Sequence, residues 1–322
     1  MSRTIVGVLR GGTSNEYNLS IKTGAAMLQA LPEERYETRD IFIDKSGMWH
    51  MRGMPVDSSR ALSQVDVVLN GLHGGVGEDG TVQRVLARSG VPFTGSRAQA
   101  SLLSLNKVRA KAILERAGVR IPRGIAFNLE NRLNTAEMAQ AVFAQFGPPY
   151  VIKPVSEGAS YGILIAMTIV ELPDSIADVL DEFGDALVEE YIRGDEFSVG
   201  LVENFRDQEL YALPPARVLL PEGAKYFHYD AHEQALARYE VPSHFSHSEK
   251  QAIENLAKIA HRALGMSHFS RADVILTRRG PYLLEINALP GLYAGASLPP
   301  MLESIGSSPR EYLEHAIDLA HR

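Results

Sequence analysis

Two apolar runs, each stopping at a glycine-rich loop, restrict this chain to a narrow set of folds. Ile5-Val6-Gly7-Val8-Leu9 halts at Arg10-Gly11-Gly12-Thr13-Ser14, and Val65 to Leu69 halts at Asn70-Gly71-Leu72-His73-Gly74-Gly75. A short apolar run bounded by turn residues reads as a strand buried on both faces, and glycine at its carboxyl end lets the backbone turn tightly. Open α/β sheets hold their ligands at such ends. Between the two runs, Ser20 is placed to cap a segment whose Ile21, Ala25, Leu28 and Leu31 recur at helical spacing, and a strand follows at Arg39 to Ile43. Residues 1–100 therefore predict a β-α-β-β-α unit built on a parallel sheet.

At 322 residues the chain is long enough for two or three units of about 100–200 residues, each with its own core, and for a cleft between them. A second unit, residues 101–190, opens with a helical pattern from Ser104 to Ala117 ended by Gly118. It continues through strands at Gly124 to Phe127, Tyr150 to Lys153, Ile163 to Met167 and Ala186 to Glu190, with helices around Ala136 to Phe146 and Ser175 to Phe183. Residues 191–322 begin with a strand at Glu196 to Val202 and carry a long polar loop from Glu222 to His247. A helix opened by a Ser248/Gln251 capping box follows, then two strands, Ala272 to Leu276 and Tyr282 to Ile286, around the turn Thr277 to Gly280.

Composition removes several functions. Hydrophobic residues at 45% and charged residues at 22% exclude disordered and fibrous classes. The net charge of −7, with signs interspersed, lacks the basic field that grips a phosphodiester backbone, so nucleic acid is not an expected partner. The absence of cysteine rules out disulfides, thiolate zinc sites and cysteine nucleophiles and fits a reducing compartment. No stretch approaches the ~20 apolar residues that span a bilayer, and the first strand is too short for a signal sequence. The expectation is a cytoplasmic protein with no membrane partner.

The residues that can carry chemistry lie at strand ends. Asp273, Glu285 and Asn287 sit on paired strands, and residues two apart on a strand share a face, so three oxygen ligands can converge there and suit Mg²⁺ beside nucleotide phosphates. Solvent-facing edge acids are the equal alternative. Lys153 ends a strand and leads into Ser156-Glu157-Gly158-Ala159-Ser160-Tyr161-Gly162, whose glycine-exposed N–H groups can close over a polyphosphate; a flexible hairpin with a solvated lysine is the competing reading. Glu189 and Glu196 can flank a pocket wall and accept hydrogen bonds from a ribose, or form an acidic surface turn. Arg271, on the strand face of Asp273, can stabilise an oxyanion or pair on the surface. Lys107, inside a helix, is the weakest single signal.

In order, these segments resemble the ATP-grasp superfamily and, within it, the D-alanine–D-alanine ligases, over essentially the whole chain. The resemblance rests on Gly11 to Glu16 with Ser20, Leu72-His73-Gly74, Gly77 to Thr81, Pro92 to Ser96 and Lys107. It continues through Ile152-Lys153-Pro154 with Glu157-Gly158, Glu189, Glu196-Phe197, Arg271, Asp273, Glu285-Ile286-Asn287 and Pro290-Gly291. It implies a three-domain α/β and α+β architecture, an N-terminal open parallel sheet followed by two ATP-grasp domains with the nucleotide site between them.

It also implies roles. Lys107 and Lys153 would hold ATP phosphates under the loop of Glu157, Gly158, Ser160 and Gly162. Glu189 and Glu196 would serve adenine and ribose. Asp273, Glu285 and Asn287 would bind two Mg²⁺ or Mn²⁺ ions, and Arg271 with the Gly291 backbone would form the oxyanion site. Glu16 would hold the ammonium of a first D-alanine beside His73, and Ser297 and Leu298 would receive the second carboxylate. The implied partners are ATP and D-alanine, the implied assembly a homodimer, and the implied product a dipeptide for peptidoglycan precursors.

The match has departures. Tyr17-Asn18 stand where the family has Arg-Glu, altering the expected first-substrate region. Ala159 replaces a serine that the family links to a tyrosine and the N-terminal glutamate. In the long loop, one alignment keeps Lys225-Tyr226 at the family's Lys-Tyr pair and another puts His232-Glu233 there, so His228 or His232 near the second substrate would favour a hydroxy acid over an amine. Two further readings therefore stand beside the ligase: a relative with another acceptor, such as D-lactate or D-serine, and a nucleotide-binding module without catalysis.

Overall fold

The computed structural model describes residues 3–130, 133–219, 238–241 and 244–322. Lys225, Tyr226, His228, His232 and Glu233, on which the acceptor alternatives turned, lie outside the described residues. No helix of the described residues is long and apolar enough to cross a membrane.

The first sheet contains β1 (Thr4–Gly11), β2 (Tyr36–Ile43), β3 (Trp49–Met51), β4 (Met54–Pro55) and β5 (Val67–Asn70), ordered β4-β3-β2-β1-β5. The two apolar runs are adjacent parallel strands, β1 inside the sheet between β2 and β5, and β5 at its end. The β3–β4 hairpin adds an antiparallel edge that the sequence did not announce, because both strands are too short to show an alternation. Helices α1 (Tyr17–Ala30), α2 (Ser58–Leu62), α3 (Gly75–Glu78) and α4 (Thr81–Ser89) accompany it. Ser20 does not cap α1, which begins three residues earlier. It is fully buried, where its hydroxyl accepts from the Gly11 N–H at 2.8 Å and donates to the Gly71 carbonyl at 2.8 Å. One hydroxyl thus holds both glycine loops together.

The expected continuous helix from Ser104 is two helices, α5 (Ala98–Leu105) and α6 (Lys107–Arg116), broken at Asn106. Asn106 has an extended backbone and its side chain accepts from the Arg109 N–H at 3.0 Å, the geometry of an N-cap. Lys107 is accordingly the first residue of a helix rather than an interior one.

The second sheet, ordered β6-β9-β7-β8, is antiparallel throughout: β6 (Gly124–Asn128), β7 (Tyr150–Lys153), β8 (Leu164–Ala166) and β9 (Asp185–Glu190). With α7 (Thr135–Phe143) and α8 (Leu172–Phe183) it encloses a core made only of its own residues, among them Val142, Tyr150, Ile152, Ile176 and Val188.

The third sheet runs β13-β12-β10-β14-β15, with β11 also on β10. Its strands are β10 (Asp195–Phe205), β11 (Gln208–Ala212), β12 (Ala216–Leu219), β13 (Arg238–Glu240), β14 (Phe269–Thr277) and β15 (Gly280–Asn287), and its helices α9 (His247–Ala263), α10 (Leu298–Ser304) and α11 (Pro309–Ala320). The capping box of α9 is Ser246 with Glu249, not Ser248 with Gln251: the Glu249 N–H donates to Ser246 Oγ and the Ser246 N–H to Glu249 Oε2 at 2.9 Å. A carboxylate accepts more strongly than an amide and is favoured by the positive end of the helix, which decides between the two overlapping patterns. Helix α11 folds back on α1 and β5, so that Met27, Val67 and Leu69 share one core with Tyr312, Leu313 and Ile317.

Candidate active site

The second and third sheets face each other across a cleft of about 270 Å³ whose walls include Lys107, Lys153, Glu189, Glu196, Asp273 and Glu285. On the third sheet, β14 and β15 pair so that Asp273 stands opposite Glu285 and Arg271 opposite Asn287. Arg271 donates to both Asp273 oxygens, at 3.0 and 2.7 Å, Ser198 of β10 donates to Oδ1 at 2.8 Å, and the Asn287 amide nitrogen donates to Oδ2 at 3.0 Å. Asp273 is 8% exposed, so these are not solvent-facing edge acids. Burial raises the Asp273 pKa, and Arg271 only partly offsets it, with Glu285 adding to the rise. Glu285 goes the other way: burial acts to raise it, but Lys107, Lys153 and Arg271 together hold it below its ordinary value.

The facing cations come from the second sheet and from α6. Lys153, at the end of β7, reaches Glu189 Oε2 at 2.7 Å, and Lys111 holds the other oxygen. Burial acts to raise Glu189, yet Lys153 and Lys111 outweigh it and keep the carboxylate ionised. Lys107 begins α6 with its N–H on the Val155 carbonyl at 2.9 Å. Its ammonium donates to the Glu157 carbonyl and lies 3.7 Å from Glu285 Oε2. Burial, aided by neighbouring Lys153, lowers its pKa. Glu196 is pushed up to about 7 by burial with Asp273 and Glu285 nearby, so it can both donate to and accept from a hydroxyl near neutrality.

Between β7 and β8 the loop of Glu157 to Gly162 closes over one end of the cleft. Ala159, Ser160 and Gly162 all take positive φ, at 47°, 60° and 73°. Gly158 lies close under Glu16: a Cβ there would stand 2.3 Å from Glu16 Oε1, so the carboxylate would have to shift.

From the N-terminal sheet come Glu16, His73 and a residue the sequence did not single out, Glu78. Glu16 is buried at the start of α1, its Oε1 without a hydrogen-bond partner among the described residues. Burial, then Glu78, Glu285 and Glu157, push its pKa up to about 8. Glu78 accepts from the Gly74 N–H at 2.8 Å and the Leu289 N–H at 3.3 Å, joining the second glycine loop to the segment after β15. His73 Nε2 lies 2.7 Å from Thr23 Oγ1, and burial with Arg271 in range lowers its pKa to about 4, leaving a neutral imidazole. Ser297, at the start of α10, keeps a buried hydroxyl with no partner among the described residues, and Leu298 is buried beside it. Gly291 lies under the Tyr293 ring, where a Cβ would come within 2.7 Å of Cε1.

The structure thus brings Lys107, Lys153, Glu157, Ser160, Glu189, Glu196, Arg271, Asp273 and Glu285 onto one cleft. Glu16 and His73 approach from the N-terminal side, while Ser297 and Leu298 lie off the cleft wall. Tyr17 does not line the cleft: its ring packs edge-on against Phe42 at 6.2 Å, with the Lys45 ammonium 5.1 Å from its centroid. Two further residues escaped the sequence reading: Lys111, one turn from Lys107 on α6, which holds Glu189 from behind the cleft wall, and Tyr239 of β13, on the wall itself, whose hydroxyl pKa is raised by burial.

Family models described as D-ala D-ala ligase N-terminus and C-terminus match residues 52–96 and 113–318. The D-alanine–D-alanine ligase of Desulforudis audaxviator is 31% identical over 318 residues, 98% of each chain, and that of Geobacter sulfurreducens 34% identical over 306 residues, 93% of this chain and 88% of the relative. Among solved structures, the VanG D-Ala:D-Ser ligase of Enterococcus faecalis superposes with a TM-score of 0.84 at 26% identity, covering 99% of this chain and all of that one. The Bacillus anthracis D-alanine–D-alanine ligase complexed with ATP does so with 0.81 at 26%, covering 99% and 98%. Sequence, topology and cleft agree, and the chain belongs to the D-alanine–D-alanine ligase family.

Proposed function

We propose that this chain is an ATP-dependent ligase that joins the carboxyl of one D-alanine to the amine of a second through an acyl phosphate, supplying dipeptide for peptidoglycan precursors. One observation carries the reading: Lys107, Lys153, Asp273 and Glu285 line a single cleft, with the Lys107 ammonium 3.7 Å from Glu285 Oε2.

The residues fit a pair of hard divalent cations. Asp273, buried, and Glu285, half-buried, are like charges opposite each other, an arrangement that favours a cation between them, and Asn287 shares the Glu285 strand face. Asp273, Glu285 and the Asn287 amide oxygen would hold magnesium or manganese, which offset charge on transferring phosphoryl groups. Lys107 and Lys153 would hold phosphate oxygens as point charges, and the loop of Gly158 to Gly162 would cover them with backbone N–H groups. Glu196 suits a ribose hydroxyl. Glu16, costly to ionise alone, is matched to an ammonium, which places the first D-alanine with its carboxylate toward the phosphates.

That carboxylate oxygen attacks the γ-phosphorus and the bond to ADP breaks. The neutral amine of the second substrate then attacks the acyl carbon, the bond to phosphate breaks, and the nitrogen sheds its extra proton to solvent. Arg271 and the Gly291 N–H stabilise the oxyanion between these events. Neutral His73 spares the approaching amine a second positive charge.

Mass spectrometry after incubation with ATP, Mg²⁺ and a panel of D- and L-amino acids plus D-lactate tests the proposal. D-alanyl-D-alanine with equimolar ADP and phosphate is expected. Product only with D-serine or D-lactate moves the acceptor, as the likeness to a D-Ala:D-Ser ligase allows; no product with any of them overturns the ligase reading in favour of a nucleotide-binding module. Glu285→Gln should cut turnover by about 100-fold or more through loss of a ligand charge.

A further inference from the structure

We propose that Leu19, Ala159 and Tyr293 form an apolar clasp that positions the phosphate loop over the reacting acyl phosphate, an inference that rests on the ligase reading above. Three segments distant in sequence meet there: Leu19 of α1, Ala159 at the loop's tip, and Tyr293 with Ala296 in the turn after β15. They make a small cluster separate from the three main cores, with Leu19 2% and Tyr293 6% exposed.

Each side of the clasp is fixed independently of the loop. The turn is closed by the Ala296 N–H on the Tyr293 carbonyl at 3.0 Å, with Gly295 at φ 93°. The Tyr293 ring lies on Gly291, whose N–H is assigned to the oxyanion. The Leu292 N–H donates to Thr23 Oγ1 at 3.4 Å, binding the same turn to α1 one helical turn from Leu19. The seat is therefore built by the N-terminal and C-terminal parts, and the loop belongs to the second sheet.

The loop has two aromatic or apolar side chains between Ser156 and Gly162, and they face different parts. Tyr161 packs edge-on against Phe183 at 5.7 Å, within its own unit. Ala159 crosses to the other parts. It does so with φ at 47°, a conformation an alanine keeps only where its surroundings repay the strain. Polar contacts accompany the crossing, Asn15 to Glu157 at 3.4 Å and Glu16 over Gly158. The methyl adds an apolar contact that needs no hydrogen-bond partner of its own. The hydroxyl link that the family resemblance predicts at this position is one that Ala159 cannot make; an apolar contact occupies the place.

The consequence is chemical. If the loop lifts, water adds to the acyl phosphate, the bond to phosphate breaks, and D-alanine and phosphate return with ATP consumed and no dipeptide formed. The readout is the ratio of phosphate released to dipeptide formed with D-alanine and ATP, measured for wild type, Leu19→Ala, Ala159→Gly and the double variant. Glycine suits the Ala159 backbone better than alanine, so a purely structural role predicts an unchanged ratio and an equal or higher melting temperature.

The clasp predicts a ratio raised about threefold or more in each single variant, and a double variant leaking no more than the worse single one, because either change opens the same contact. Should Leu19→Ala not fold, Tyr293→Leu replaces it with the same expectation. A wild-type protein that forms dipeptide beside variants that keep its ratio overturns the clasp alone; a wild-type protein that forms none overturns the ligase reading and the clasp with it.

Discussion

Burying Glu16 beside Glu78, Glu285 and Glu157 makes its charge expensive, and its pKa near 8 measures that expense. In the unfolded chain the group titrates near 4.5, so between about 4.5 and 8 the native state keeps a proton that the unfolded chain gives up, and stability falls as pH rises through that window. Glu16→Gln removes the titration while keeping shape. It is expected to unfold at higher denaturant than wild type at pH 8, by about 1–3 kcal/mol, with the difference vanishing near pH 4.5. The same substitution should reduce kcat/KM for the first D-alanine by about 100-fold, because the amide cannot neutralise an ammonium. Chemical denaturation at the two pH values checks the first part, and a variant less stable at pH 8 would show that Glu16 is held ionised by contacts other than substrate. For wild type, KM for the first D-alanine should fall as pH rises toward 8. Glu16 was expected only from the family resemblance, whereas the Asp273–Glu285 pair was readable because acids on adjoining strands have geometry that spacing alone supplies. Lys111 was not, since a lysine on a helix is ordinarily solvated and only its approach to Glu189, on a strand many residues away, makes it part of the site.

Among the elements, the parallel strands, the β14–β15 hairpin and the long helices were legible from period and turn residues, whereas the break between α5 and α6 was not. Leu105, Val108 and Ala112 keep helical phase across Asn106, so periodicity shows one helix where the cap makes two. The break matters because it makes Lys107 the first residue of α6 and lets its N–H reach the Val155 carbonyl at the root of the phosphate loop. Asn106 also donates to Ser156 Oγ at 3.4 Å, so one side chain fixes both the helix start and the loop. Asn106→Ala is expected to cost about 1 kcal/mol of stability, the usual worth of an N-cap, and to raise KM for ATP about fivefold while leaving KM for D-alanine within twofold. Thermal melting and steady-state kinetics with each substrate varied check both; equal increases in the two KM values would show that the cap serves the fold generally rather than Lys107. The β3–β4 hairpin and β13 stayed hidden for a simpler reason, that two or three residues cannot display an alternation.

The cores divide the molecule unevenly. Val6, Val67 and Leu69 of the first sheet, Ala110 and Leu114 of α6, and Tyr312 and Leu313 of α11 belong to one continuous core with the third sheet, while the second sheet with α7 and α8 buries only its own residues. Polar ties reinforce the first pairing: the Gly95 N–H donates to His268 Nδ1 at 3.2 Å, the Ser267 N–H to Ser96 Oγ at 3.1 Å, and Arg35 meets Glu314 at 2.8 Å. Two parts sharing a core open together, and a part with a private core can open alone. Native-state hydrogen exchange in low denaturant is therefore expected to show residues 124–190 exchanging as one unit at lower free energy than the rest, with α5 and α6 protected alongside the first and third sheets. The cleft lies between these two bodies, so a nucleotide gripping Lys153 on one and Glu285 on the other penalises their separation. At a hundredfold excess over its dissociation constant, a non-hydrolysable ATP analogue with Mg²⁺ should raise the opening free energy of residues 124–190 by about 2.7 kcal/mol. A single exchange step for the whole molecule without ligand would contradict the division. Protection that rises equally everywhere on adding nucleotide would contradict its placement between the second and third sheets.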